Sequence, residues 1–179
     1  MQITGLSTQR LKFRELHMDD YETLLPFFLN TEATQFYYSK INPRDYCRIW
    51  IQRQLNRYEE DGFGLFALIE KESGQFIGQC GLLRQKIDGQ EELEIGYAIM
   101  PNYWLQGFAI ESAIFFRDFA FQHNMATSLV SIIDINNVKS RKVAIKNCLE
   151  REKQTYQNEI KVDIYRISQI TWKSLQKKN

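Results

Sequence analysis

Gly107 and Ala109 are the small residues whose position best suits binding chemistry, because they stand where a helical pattern begins. From Gln106 on, Ala109, Ala113, Phe116 and Ala120 recur at helical spacing, and Ile110, Ile114 and Phe119 widen the apolar stripe. Before them, Ile95, Tyr97 and Ile99 alternate around Gly96 and Ala98 in the manner of a buried strand, which Pro101-Asn102 ends. A strand, a tight turn and a helix start form an anion site. The first helical turn leaves N–H groups without intrahelical partners, and the macrodipole makes that end positive. A phosphate or pyrophosphate fits there without a lysine. Gly107 lets the main chain come close to a ligand, and Ala109 keeps the next approach small. The same spacing also suits an ordinary strand-to-helix turn whose glycine serves packing. Two common phosphate motifs are excluded. The chain has no G-x-x-x-x-G-K-S/T and no G-x-G-x-x-G followed by an acidic residue about twenty positions on.

Other chemistry is thin. His17 and His123 have no second ligand at metal spacing, so no metal is expected. No Ser/His/Asp or Cys/His arrangement stands out. Cys47, Cys80 and Cys148 are sparse and odd in number, which points to reduced thiols and a cytoplasmic protein. The 179 residues fit one domain spanning 1–179, with 44% hydrophobic and 25% charged residues. A net charge of +1 gives no footprint for nucleic acid or a membrane surface. No apolar run reaches transmembrane length, and residues 1–6 do not read as a signal peptide.

The elements that must position the turn follow from periodicity. Residues 9–16 alternate as a strand with one wet face, and Asp19-Asp20 opens a helix to about Leu29 in which Pro26 is awkward. Asn42-Pro43 caps a helix to about Glu60, closed by Asp61-Gly62. Residues 64–70 and 76–83 form a hairpin, and Gly78 and Gly81 imply a bulge or close backbone contact. Asp88-Gly89 turns into a strand over 91–99. An apolar strand over 126–135, a helix over about 138–146 capped by Asn137, two strands over 150–167 and a short last helix or tail from Thr171 complete the chain. Strands and helices in this order give an α+β class.

Trp104-Leu105-Gln106-Gly107-Phe108-Ala109 resembles the central motif of the GNAT superfamily of acetyl-coenzyme A-dependent N-acetyltransferases, Gln/Arg-x-x-Gly-x-Gly/Ala. Glu94, Gly96, Tyr97, Pro101, Tyr103, Trp104, Gly107, Phe108, Ala109 and Glu111 also fall on the loop of the RimJ/RimL-like subgroup, the ribosomal-protein alanine N-acetyltransferases. Leu105 departs from it, standing where the first Gly of that loop usually sits. Asn137 and Ser140 match the family's second motif, N-x-x-S before a helix ending K-x-G-F, but Cys148-Leu149 replaces Gly-Phe. The resemblance covers about residues 8–172. It implies a GNAT-like acyl-CoA N-acyltransferase fold, a twisted mixed and mostly antiparallel sheet flanked by helices.

The resemblance also implies roles. The pyrophosphate of acetyl-CoA would sit on main-chain N–H groups of Leu105, Gln106, Gly107, Phe108, Ala109 and Ile110. Pantetheine would run beside Tyr97, Ala98 and Ile99 like an added strand, and Asn137 would bond pantetheine or phosphate. A bulge in that strand would aim an N–H at the thioester oxygen. Glu94 is the candidate general base that deprotonates the amine; its other reading is an edge carboxylate. Ala144 occupies the slot where many family members place a proton-donating Tyr, so Ser140 or a water would serve the leaving thiolate. The early helices would wall the acceptor groove, with Tyr37, Tyr38 and Trp50 in contact with substrate; the same aromatics also suit plain core. The implied activity is direct acetyl transfer from acetyl-CoA, as cosubstrate and without a metal, to a primary amine. The acceptor is either a protein N-terminus or a small amine, no nucleic acid or membrane takes part, and homodimerisation stays open. The rival from another class is a non-catalytic acyl-CoA-binding module.

Overall fold

The computed structural model describes residues 3–37 and 39–177. Among these residues, seven strands form one mixed sheet flanked by helices, in the order β1 (Leu11–Arg14), β2 (Leu65–Glu70), β3 (Phe76–Ile87), β4 (Gln90–Ile99), β5 (Ser128–Asp134), β7 (Ile160–Ser168), β6 (Glu150–Gln157). Contacts cluster the chain into two compact units. One holds Met1–Gly81 with Tyr97–Ala109, and the other Leu82–Gly96 with Ile110–Asn179.

The first unit begins with β1, Leu11–Arg14, antiparallel to β2, Leu65–Glu70. Between them lie α1 (Tyr21–Leu29), α2 (Thr31–Thr34) and α3 (Pro43–Glu60). The helix α3 has the signals expected of it: the Asn42 side chain accepts from the Arg44 N–H, Pro43 opens the first turn, and Asp61 caps the end before a left-handed Gly62. α1 accommodates Pro26 and stops at Asn30, whose side chain then caps α2 by accepting from the Ala33 N–H at 2.9 Å. The short α2 carries no periodicity to read. Leu16, Leu24, Leu25, Phe27, Phe28, Cys47, Ile51, Ala67 and Ala98 make the core, bordered by Tyr37, Tyr46, Trp50, Met100 and Trp104. The next strand, β3 (Phe76–Ile87), runs four residues past the expected stretch, and its pairing with β2 slips between Leu68 and Ile69. Gly78 and Gly81 sit where backbones press together, as expected. A Cβ on Gly78 would lie 2.5 Å from the Ala98 carbonyl oxygen, and one on Gly81 only 1.9 Å from that of Gly64.

In the second unit, β5 (Ser128–Asp134) and β6 (Glu150–Gln157) both pair antiparallel with β7, Ile160–Ser168. Around them lie α4 (Phe108–Gln122), α5 (Val138–Lys146) and α6, Gln169–Gln176. The strand β4, Gln90–Ile99, pairs β5 in parallel, with Glu94 opposite Val130. Buried Ile87, Val130, Val162 and Ile164 form a core there.

Boundaries differ from the periodic reading where the backbone conformation is special. α4 starts at Phe108 rather than Gln106, because Leu105 and Gly107 both take left-handed φ, 62° and 87°. β1 is shorter than the alternation of residues 9–16, and α6 begins at Gln169, capped by Ser168. Cys148, where the resembled motif has Gly, also has φ of 63°. Both departures from that pattern therefore keep the glycine-like backbone and change only the side chain.

Candidate active site

The turn after β4 is braced from several directions. Pro101–Tyr103 makes one 3-10 turn, and the Trp104 indole N–H donates to the Ile99 carbonyl at 2.6 Å, folding the chain back on its own strand. The Gln106 side chain donates to the Asn102 carbonyl at 2.9 Å. Arg10 reaches in from the residue before β1. Its Nη1 donates to the Gln106 carbonyl at 2.9 Å, and its guanidinium lies over the Phe108 ring, 4.3 Å from the centroid. A Cβ on Gly107 would come within 3.3 Å of the other Arg10 terminal nitrogen. A permanent cation and a helix start thus flank a glycine whose bare Cα leaves the main chain approachable. That donor set fits a diphosphate.

Leu105 does not plug this turn. Its side chain is 95% exposed and stands in solvent. A left-handed residue with a Cβ is disfavoured by roughly 1–2 kcal/mol, and here no burial offsets it. Leu105→Gly is therefore expected to raise the urea midpoint by an increment worth roughly 1 kcal/mol, with coenzyme A affinity kept. A lower midpoint would mean that the leucine makes a contact that matters.

The ladder between β4 and β5 gives way to side chains beside Glu94. The Ile95 carbonyl accepts from the Ser131 hydroxyl at 3.0 Å, and the Ile132 N–H points at Glu94 Oε1, 3.5 Å away. Glu94 Oε2 accepts from the Gln85 side chain at 2.7 Å. The carboxylate is half-buried, held from both neighbouring strands, and so fixed in orientation.

Asn137 caps α5: its side-chain oxygen accepts from the Ser140 N–H at 3.0 Å. Ser140 is half-buried one turn into the helix. Ala144 is 1% exposed and has no proton to give.

Tyr37 and Trp50 are brought together, their ring centroids 5.5 Å apart, with Phe28 and Tyr46 completing the cluster. They border the same core cluster as Met100 and Trp104, a cluster that includes Ala98. Tyr38 lies outside the described residues. The cysteines offer no second chemistry. Cys47 and Cys80 are buried, and burial pushes the Cys47 thiol up to about 11 despite neighbouring Arg48. Among the described residues no group of three or more His, Cys, Asp or Glu could hold a metal, and no helix is long and apolar enough to cross a membrane.

Sequence reasoning missed Arg10, Gln85 and Gln79. The last is a fully buried amide on β3 that accepts from the Trp50 indole at 3.0 Å. A glutamine inside the apolar run of residues 76–83 was a readable signal. Nothing local to Arg10 marks its reach across to residue 106.

A family model described as an acetyltransferase (GNAT) domain matches residues 10–148. An uncharacterized protein of Bacillus subtilis (strain 168), YkkB, is 32% identical over 145 residues, 80% of this chain and 83% of its own. A solved acetyltransferase from Agrobacterium tumefaciens (str. C58) is similar with a TM-score of 0.79 at 24% identity, over 93% of this chain and 95% of that one. RimL, a ribosomal α-N-protein acetyltransferase solved in complex with coenzyme A, is similar with a TM-score of 0.69 at 16% identity, over 92% and 97%.

Proposed function

The chain belongs to the GNAT acetyltransferase family and has its fold, and on that premise we propose that this acetyl-CoA-dependent acyltransferase moves the acetyl group directly to a primary amine. The observation that carries the reading is the turn itself. Left-handed Leu105 and Gly107, with Arg10 clamped on the Gln106 carbonyl, lead into the first turn of α4. In this reading the diphosphate is held by main-chain N–H groups of residues 105–110, with Arg10 supplying positive charge beside Gly107. Pantetheine lies along Tyr97, Ala98 and Ile99. The Ile99 carbonyl of that stretch also accepts from the Trp104 indole, which ties the strand to the turn.

The amine nitrogen attacks the thioester carbonyl, the carbon–sulfur bond breaks, and the thiolate takes up a proton. Glu94 removes the excess proton of the amine, directly or through a water, from the orientation that Gln85 and the Ile132 N–H impose. Ser140, one turn before Ala144 on α5, serves as the proton donor in this reading, and Asn137 caps the start of that helix. No covalent enzyme intermediate is used, in keeping with the buried, weakly acidic Cys47 thiol. The acceptor is a protein N-terminus or a small amine, and the location is cytoplasmic, a reading that rests on the sparse, odd set of cysteines.

Glu94→Gln tests the base. General base catalysis is worth about 10²–10⁴-fold, so kcat is expected to fall at least about 100-fold, with KM for acetyl-CoA unchanged. A lower melting temperature with kcat retained would instead assign Glu94 to the sheet.

A further inference from the structure

Gln79 interrupts the apolar run of β3 and is fully buried. Its Oε1 accepts from Trp50 Nε1 at 3.0 Å. An indole N–H only donates, so the amide atom facing Trp50 must be the oxygen. The NH₂ group is thereby turned away from Trp50, and Nε2 is buried without a hydrogen-bond partner. A buried donor left unmade is a standing penalty that a leucine at the same place would avoid.

Two other buried side chains also carry an unpartnered atom, Gln54 Nε2 and Asn147 Oδ1, but both tie down main chain. Gln54 accepts from the Leu65 N–H at 3.0 Å, and Asn147 donates to the Ala113 carbonyl at 3.3 Å. Gln79 instead makes its side-chain bond to Trp50, a half-exposed ring of the aromatic cluster. Gly78, one residue earlier, presses against Ala98 and Ile99, the part of β4 assigned above to the pantetheine arm. The unmade donor therefore lies behind Trp50, a ring that borders the core cluster containing Ala98 of that stretch.

Resting on the reading under "Proposed function", we propose that Gln79 Nε2 sets acceptor specificity by donating to a carbonyl oxygen borne beside the attacking amine. An α-amino amide, as at a peptide N-terminus, supplies that oxygen; an alkyl polyamine does not. A neutral NH₂ matches a neutral carbonyl, and the Trp50 bond keeps its donors from rotating out of use. Nε2 is buried, so the side chains over it must shift for the acceptor to reach the amide. Gln79 is thus a substrate contact, and Trp50 is the residue that positions it.

The test compares alaninamide with isobutylamine, which lacks the carbonyl, by thiol release from acetyl-CoA, with acetyl-CoA affinity measured separately by calorimetry. A site with a buried donor rejects a substrate lacking its partner strongly, so, with each rate referred to the unprotonated amine present, the wild type is expected to favour alaninamide by about 100-fold or more in kcat/KM. Gln79→Met should cut that preference below about tenfold, through loss of turnover on alaninamide. Gln79→Leu also lacks a donor and should give the same loss on alaninamide, providing a second variant if the first folds poorly. Equal wild-type rates on the two amines, with thiol released on both, would overturn the role of Gln79 and leave the acetyltransferase reading standing. Failure to bind acetyl-CoA at all would overturn that reading and this one with it.

Discussion

Gly107→Val is expected to raise the dissociation constant for coenzyme A about 100-fold, roughly 2.7 kcal/mol, while the protein stays folded. Two effects combine. Gly107 has φ of 87°, which a β-branched residue resists, so the turn must distort or hold strain of about 1–3 kcal/mol. Its Cβ would also point at the Arg10 guanidinium 3.3 Å away, on the side where the main chain is otherwise open. Arg10 is in turn bound to the Gln106 carbonyl and stacked on Phe108, so pushing it moves the turn with it. The core of Leu24, Phe28, Ile51 and Ala67 does not include Gly107, which keeps the damage local. Calorimetric titration with coenzyme A, alongside a melting curve, separates the two effects. An affinity within about threefold of wild type would place the diphosphate elsewhere.

Gly81→Ala is expected to cost the protein its fold. The added Cβ would lie 1.9 Å from the Gly64 oxygen, 2.9 Å from its carbon and 3.0 Å from the Leu65 Cα, all main-chain atoms that cannot rotate away. Gly81 pairs with Leu65 across the β2–β3 ladder, so relief requires those strands to part. Leu65, Phe66, Ala67 and Leu68 of β2 are all buried, and parting the strands exposes them. A destabilisation of roughly 4 kcal/mol or more takes a large share of the stability of a typical domain. It would lower the melting temperature by roughly 8–16 °C, or leave little soluble protein. Gly62→Ala is the control: Gly62 has φ of 76° but nothing within 4 Å of its Cβ position, so roughly 1–2 kcal/mol of backbone strain is all it should show. Equal melting temperatures for the two variants would mean that the close approach at Gly81 does not exist.

Much of this architecture was legible in the sequence, for reasons that are local. Asn42-Pro43 and Asp61-Gly62 marked both ends of α3 because cap chemistry is written in adjacent residues. The alternation before Pro101 and the helical repeat after Gln106 marked β4, the turn and α4. Gly78 and Gly81 announced close contact because side-chain-free positions in a strand usually serve one. What stayed hidden depends on distance in the chain. The start of α4 was misplaced by two residues because nothing about Leu105 announces a left-handed φ. Arg10 looked like one more charge near a wet-faced strand, yet it braces the turn across 96 residues. Glu94 stood out by position, but its grip by Gln85 and the Ile132 N–H arises only when three strands assemble. The aromatic cluster was read both as core and as substrate wall. Tyr37, Tyr46 and Trp50 border the buried core while remaining half-exposed, so the packing accommodates both readings.

The most direct measurement is a crystal structure with coenzyme A bound. Diphosphate oxygens within about 2.7–3.2 Å of main-chain nitrogens between Leu105 and Ile110, with the arm lying along Tyr97 and Ala98, is the predicted result. Coenzyme A held on another surface, with this turn making no contact to the diphosphate, would contradict it.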